Sequence, residues 1–318
     1  MKLNTFFRAS VLASLLLLAV GCAKQAEPYA EIFPLEGLEH PMYYTAPKPL
    51  SDGDNGELVI IMIQGWHGGV QVLNEQLSLQ GAFPGTYVLS PMYPRGEMME
   101  RFGIEPDGRA VWNDSWNRID LAKPGVPDDD WRGGGDANGT TFSSFEVIDH
   151  LFAKLSDKSL FPNLKRIALV GFSAGGQFVG RYVAVGKAEV REGIEVIYAA
   201  MAPSTFLRLN PEDIWHYGLK GRPRYSRDIS DEQILENLRT RRCLHACGAK
   251  DTLEESLDKT VPAMKQGENR YVRFLNFRDV VSQDEQWKAS TVFHTFEDLG
   301  HDAVSAYADP FFVKYIKE

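Results

Sequence analysis

Apolar residues gather along the chain in short, nearly uninterrupted runs bounded by turn residues, and that pattern predicts most of the secondary structure. The runs are LVIIMIQ (58–64), TYVLSPMY (86–93), RIALVGF (166–172), IEVIYAAMA (194–202) and CLHACG (243–248). None alternates cleanly between apolar and polar, so they read as strands buried on both faces, as in a parallel sheet. TVFHTFE (291–297) is a sixth, and weaker strands are expected between Ile32 and Thr45. Between the strands the period changes to that of a helix. Ser143-Ser144-Phe145-Glu146 has capping-box spacing, and the helix it opens carries Phe145, Ile148, Leu151, Phe152 and Leu155 on one face. Further helices are expected over Ala174–Lys187 and Ala303–Lys317, with a charged one in ILENLRTRR (234–242). Strand and helix in alternation predict an α/β sheet with right-handed crossovers.

Two segments break the rhythm. Residues 95–141 are rich in Gly, Asp and Trp, and residues 204–240 contain IWHYGLKGRPRYSRD. Structureless stretches of that length are functional or disordered, and the tryptophans argue against disorder. Both are expected to be insertions forming a cap over the strand C-terminal ends. The chain of 318 residues has 44% hydrophobic and 24% charged residues, ordinary globular values, and shows no repeat. A formal net charge of −9 argues against non-specific nucleic-acid binding.

The first 21 residues do not fit the domain pattern. Lys2 and Arg8 precede VLASLLLLAV, an apolar run too short to span a bilayer, and Gly21-Cys22 follows. Ala19 to Cys22 resembles the lipobox of bacterial lipoproteins. That resemblance implies cleavage before Cys22, acylation of that cysteine and a location on the cell envelope. Residues 1–21 are then a signal peptide, 22–31 a tether and 32–318 a single domain. The remaining cysteines, Cys243 and Cys247, share one strand, where four residues span ~13 Å, beyond disulfide reach. With His245 they fall on one face, but a fourth ligand is missing, so buried packing is the expected role and no metal or cofactor is expected.

Candidate chemistry lies where RIALVGF meets the next helix. Gly171, Ser173 and Gly175 fit G-x-S-x-G between a strand and a helix, with no loop residues spent on the turn. Such a turn holds the serine at positive φ and lifts its hydroxyl above the sheet, beside the N-terminal end of the helix. A serine hydroxyl needs a base, and the base an orienting carboxylate. Of seven histidines, His301 follows the last strand and precedes the last helical stretch. His67 is its rival, and His40, His150, His216, His245 and His294 lack the strand-end context. Asp251 closes GAKD at the end of the preceding strand, with Asp279, Asp298 and Asp302 as alternatives. The order Ser173, Asp251, His301 is nucleophile, acid, base. For the oxyanion, one donor is the Ala174 N–H. The other comes from QGWHGGV: Trp66, at the strand end, is preferred, and Gly68 or Gly69 donates if HGG takes that role.

Together these residues resemble the α/β-hydrolase superfamily from about Leu58 to the C-terminus. A closer likeness, to uncharacterised fungal and bacterial secreted α/β-hydrolases, rests on SSFEVIDHLFAKLSDKSLFPNLKRIALVGFSAGGQFVGRY, then PST, QGENR and GHDA. The resemblance implies an α/β-hydrolase fold and a Ser-His-Asp triad. Phe172 stands where a histidine is frequent, at a position expected to face the pocket wall and make it more apolar. Trp112, Trp116, Trp131 and Trp215 either line an apolar or sugar-stacking pocket or pack the core. Arg222, Arg224 and Arg227 either meet an anionic substrate or form a solvated lid surface. The expected activity is cleavage of an acyl bond, in the simplest case a carboxylic ester in a small-molecule, lipid or polymer substrate. Amide hydrolysis or acyl transfer by the same triad is the alternative enzyme reading. A surface-anchored binding protein is the non-enzymatic one.

Overall fold

The computed structural model describes residues 30–66, 70–96, 103, 108–112 and 130–318. The expectations for residues 1–21, Cys22, Gly68, Gly69, His67 and Trp116 lie outside them. Strands β1 (Glu31–Leu35), β2 (Met42–Ala46), β3 (Leu58–Ile63), β4 (Tyr87–Pro91), β5 (Arg166–Phe172), β6 (Glu195–Met201), β7 (Cys243–Gly248) and β8 (Thr291–Phe296) form one sheet in the order β1-β2-β4-β3-β5-β6-β7-β8. β1 pairs antiparallel with β2 and β2 with β4, while every later pairing is parallel. The uniformly apolar runs become the central strands because helices cover both faces. Ile60, Ile61, Ile167, Leu169, Ile197 and Leu244 are completely buried, each worth ~1.5–3 kcal/mol relative to exposure.

The helices are α1 (Val70–Ala82), α2 (Ser144–Leu155), α3 (Ala174–Val185), α4 (Asp231–Thr240), α5 (Val261–Met264), α6 (Arg270–Val281), α7 (Glu285–Ser290), α8 (Ala303–Tyr307) and α9 (Pro310–Lys317). The capping box at Ser143 is complete, with Glu146 reaching back to the Ser143 N–H at 2.6 Å. The single helix expected over Ala303–Lys317 is instead two. Pro310 cannot continue α8, and the Asp309 side chain accepts from the Phe311 and Phe312 N–H groups, capping a new helix.

The two insertions meet beyond the carboxyl ends of the strands. Trp215 donates its indole N–H to the Gly133 carbonyl at 2.8 Å, and Arg224 reaches Asp136 and Glu146. Trp112, Trp131 and Trp215 are buried in this packing, with Trp131 stacked on Tyr93. They are core residues rather than pocket walls. Arg222 is spent on Asp231 and on nearby backbone carbonyls.

Candidate active site

The turn after β5 is as tight as backbone packing allows. A Cβ on Gly171 would lie 2.4 Å from the Gly175 carbonyl, and one on Gly175 would lie 2.2 Å from the Ile63 carbonyl oxygen. Gly176, which the sequence pattern does not mark, is equally constrained: its Cβ would meet the Met201 oxygen at 2.3 Å. Helix α3 therefore starts directly against the ends of β3 and β6. Ser173 takes φ 57° and ψ −115°, with its N–H donating to the Met201 carbonyl at 2.9 Å. That sparsely populated backbone costs of order 1–3 kcal/mol and is held by the packing around it.

Asp251 and His301 come together because two loops are laced to each other. Lys250 N–H donates to Leu299 and Ala249 N–H to Phe296, each with its carbonyl as acceptor, at 2.9 and 3.0 Å. His301 Nδ1 then lies 2.6 Å from Asp251 Oδ2, and His301 Nε2 lies 2.9 Å from Ser173 Oγ. The Asp251 carboxylate is fully buried, whereas the imidazole keeps 28% of its surface open to the site. Phe172 does not face a pocket wall as expected. Its ring packs against the imidazole, centroids 4.9 Å apart and tilted by 48°.

The competing residues go elsewhere. Asp298 pairs with Lys250 at the surface, and Asp302 caps α8 through Ser305. Asp279 lies exposed beside Arg278. His245 is core, its imidazole pushed down to about 3 by burial, and His294 stacks on Phe311.

A cavity of about 210 Å³ opens beside Ser173, lined by Trp66, Arg132, Ala174, Gln177, Ser204, Ser256 and Asp258. Among the described residues, neither the Trp66 nor the Ala174 backbone N–H donates to another protein group. Both flank the serine, where an anionic oxygen would need donors. The Trp66 ring is held by two guanidinium groups, Arg95 and Arg132, each 4.6 Å from its centroid. Arg132 is itself fixed by a bidentate pair with the buried Asp130, at 2.8 and 2.7 Å. The cavity lining is thus mixed, with Trp66 and Ala174 beside charged and polar side chains. Its arginine is Arg132, not one of Arg222, Arg224 and Arg227. Nothing in DDDWRGGGD singled Arg132 out, because a buried arginine and a solvated one look alike in sequence.

Behind the acid stands Arg270, 1% exposed, with Nη1 3.5 Å from Asp251 Oδ1. Its Nη2 donates to the carbonyls of Glu255 and Ser256, at 3.1 and 2.7 Å. Burial pulls the Arg270 pKa down, and the adjacent Asp251 carboxylate acts in the opposite direction.

No protein-family model matches the sequence, and no curated protein matches it. Solved structures do. Poly(aspartic acid) hydrolase-1 from Sphingomonas sp. KT-1 superposes with a TM-score of 0.61 at 19% identity, over 92% of this chain and 100% of that one. LpqC, a poly(3-hydroxybutyrate) depolymerase from Bordetella parapertussis, gives a TM-score of 0.61 at 13% identity, over 91% and 94%. With the sheet order and the sharp serine turn between β5 and α3, these likenesses show that the chain has the α/β-hydrolase fold.

Proposed function

We propose that the protein is a serine hydrolase that cleaves carboxylic esters of short acyl groups. One observation carries the reading: a single imidazole spans the Ser173 hydroxyl at 2.9 Å and a fully buried carboxylate at 2.6 Å. In the proposed cycle His301 Nε2 takes the Ser173 proton as Oγ attacks the ester carbonyl. Asp251 accepts the Nδ1–H bond and balances the imidazolium. The tetrahedral oxyanion is met by the N–H groups of Ala174 and Trp66. His301 next protonates the departing alcohol oxygen, leaving an acyl-serine. Water, deprotonated by the same nitrogen, attacks that ester; collapse releases the carboxylic acid and restores Ser173.

The size class follows from the cavity. A space of about 210 Å³ beside Ser173, walled by Trp66 and Ala174 as well as by Arg132, Gln177, Ser204, Ser256 and Asp258, suits an acyl group of a few heavy atoms.

A fluorophosphonate probe should label the wild type, and Ser173→Ala should lose the label. A panel of p-nitrophenyl esters and anilides should then favour short acyl esters over octanoate. Folded wild type that resists the probe would overturn the hydrolase reading, and faster anilide turnover would overturn the ester assignment.

A further inference from the structure

We infer that Arg270 is a positioning residue for this reaction: one buried guanidinium backs the Asp251 carboxylate that orients His301 and ties it to the Ser256 wall of the substrate cavity. The inference rests on the hydrolase reading above and adds a member that the triad description lacks.

Arg270 opens helix α6, whose cap is Asn269. The Tyr271 N–H donates to the Asp251 carbonyl at 3.3 Å, so the helix start grips the backbone of the acid while Arg270 faces its side chain. Asp251 uses its two oxygens differently. Oδ2 meets His301 at 2.6 Å, and Oδ1 has no hydrogen bond, only the guanidinium at 3.5 Å. The guanidinium thus faces the side of the carboxylate that His301 leaves open.

The other end of the fork acts on the cavity. Ser256 lines it and takes φ 52°, a left-handed conformation that few serines adopt. Its carbonyl and that of Glu255 both bind Arg270 Nη2, so the strained turn is pinned by the group that faces the acid. Other titratable groups stand around the pair. Cys247 is a buried thiol on β7, Glu255 lies beside Arg270, and Arg273, buried one turn along α6, is a second cation close to Arg270. Lys250 is paired with Asp298 at the surface, and Asp302 caps α8.

The two roles separate by substitution. Arg270→Met removes charge and fork; Arg270→Lys keeps the charge but cannot bind both carbonyls while facing Asp251. The rate of fluorophosphonate labelling is measured, and KM and kcat with a short p-nitrophenyl ester. Arg270→Met should slow labelling about tenfold, because the acid that orients His301 loses the group facing it. Arg270→Lys should keep labelling near the wild-type rate and raise KM about tenfold, the loss of one charged hydrogen bond. Labelling of folded Arg270→Met at the wild-type rate would overturn the part Arg270 plays in aligning the acid. An unchanged KM in Arg270→Lys would overturn the positioning role, and this arm stands even if the methionine variant does not fold. Wild type that fails to label would instead defeat the hydrolase reading itself.

Discussion

The carbonyl of Leu299 passes so close to Gly248 that a Cβ built there would lie 2.3 Å from its oxygen. This approach is what lets the loop carrying His301 lie across the end of β7 and meet Asp251. Gly248→Ala should therefore push the two loops apart. We expect a stability loss of roughly 1–3 kcal/mol, as for other overpacked sites, and a fall in labelling rate of order 10²-fold from a displaced base. Urea denaturation and probe kinetics on the same variant check both. A variant labelled at the wild-type rate would mean that this contact does not set the alignment.

Arg132 should matter to both folding and chemistry. Its guanidinium pairs with a fully buried Asp130 and faces the Trp66 ring, whose backbone N–H is the proposed second oxyanion donor. Arg132→Met removes the fork and leaves Asp130 buried without it. A loss on the order of 3 kcal/mol is expected, together with slower labelling in the protein that remains folded. If calorimetry shows an unchanged Tm, the pair is not a significant anchor of that loop.

How far the site was legible depends on which physical signal each residue sends. Leu58–Ile63 and Arg166–Phe172 were readable because strands covered on both faces have no polar alternation. Ser173 was readable because backbone crowding admits only glycine two residues before it and two after it. Asp251 and His301 were readable because each ends or follows a strand, and topology carries such residues to the same edge. The break at Pro310 was also written in Ala308-Asp309-Pro310, a helix stop and cap that the continuing apolar periodicity masked. Arg132 and Arg270 were not readable. Their burial arises only when distant carbonyls and carboxylates converge on them, and no local pattern encodes that. Phe172 shows the same limit: its rotamer toward the imidazole depends on a loop 129 residues further along the chain (301 − 172).

The sequence before the described residues makes a separate prediction. If Cys22 carries acyl chains, each buried CH₂ adds ~0.8 kcal/mol of membrane affinity, and several chains make release negligible. Expressed from Met1, the protein should then incorporate labelled palmitate and partition into the detergent phase. Cys22→Ser should end both while the folded domain keeps its fluorophosphonate reactivity. A soluble, unlabelled wild type would remove the anchor from this account.

Glu75 supplies a pH dependence whose sign follows from its position. It lies on α1 with 2% exposure, its Oε1 3.4 Å from where a Cβ on Gly65 would stand, just before Trp66. Gln71 donates to Oε1 at 3.2 Å, but Oε2 is buried without a hydrogen-bond partner among the described residues. Burial pushes the carboxyl from its ordinary 4.5 up to about 7. In the unfolded chain it ionises near 4.5, so between about pH 4.5 and 7 the native state holds a proton that the unfolded state has lost. Its contribution is therefore fully present below pH 4.5 and is lost as pH rises toward 7, with no further change above that. The difference is on the order of 2–3 kcal/mol. Glu75→Gln keeps the shape and cannot ionise, so its stability relative to wild type should rise from pH 5 to pH 8 by that amount. Denaturant midpoints at the two pH values decide it: a constant difference between variant and wild type would show that Glu75 is not protonated in the native state.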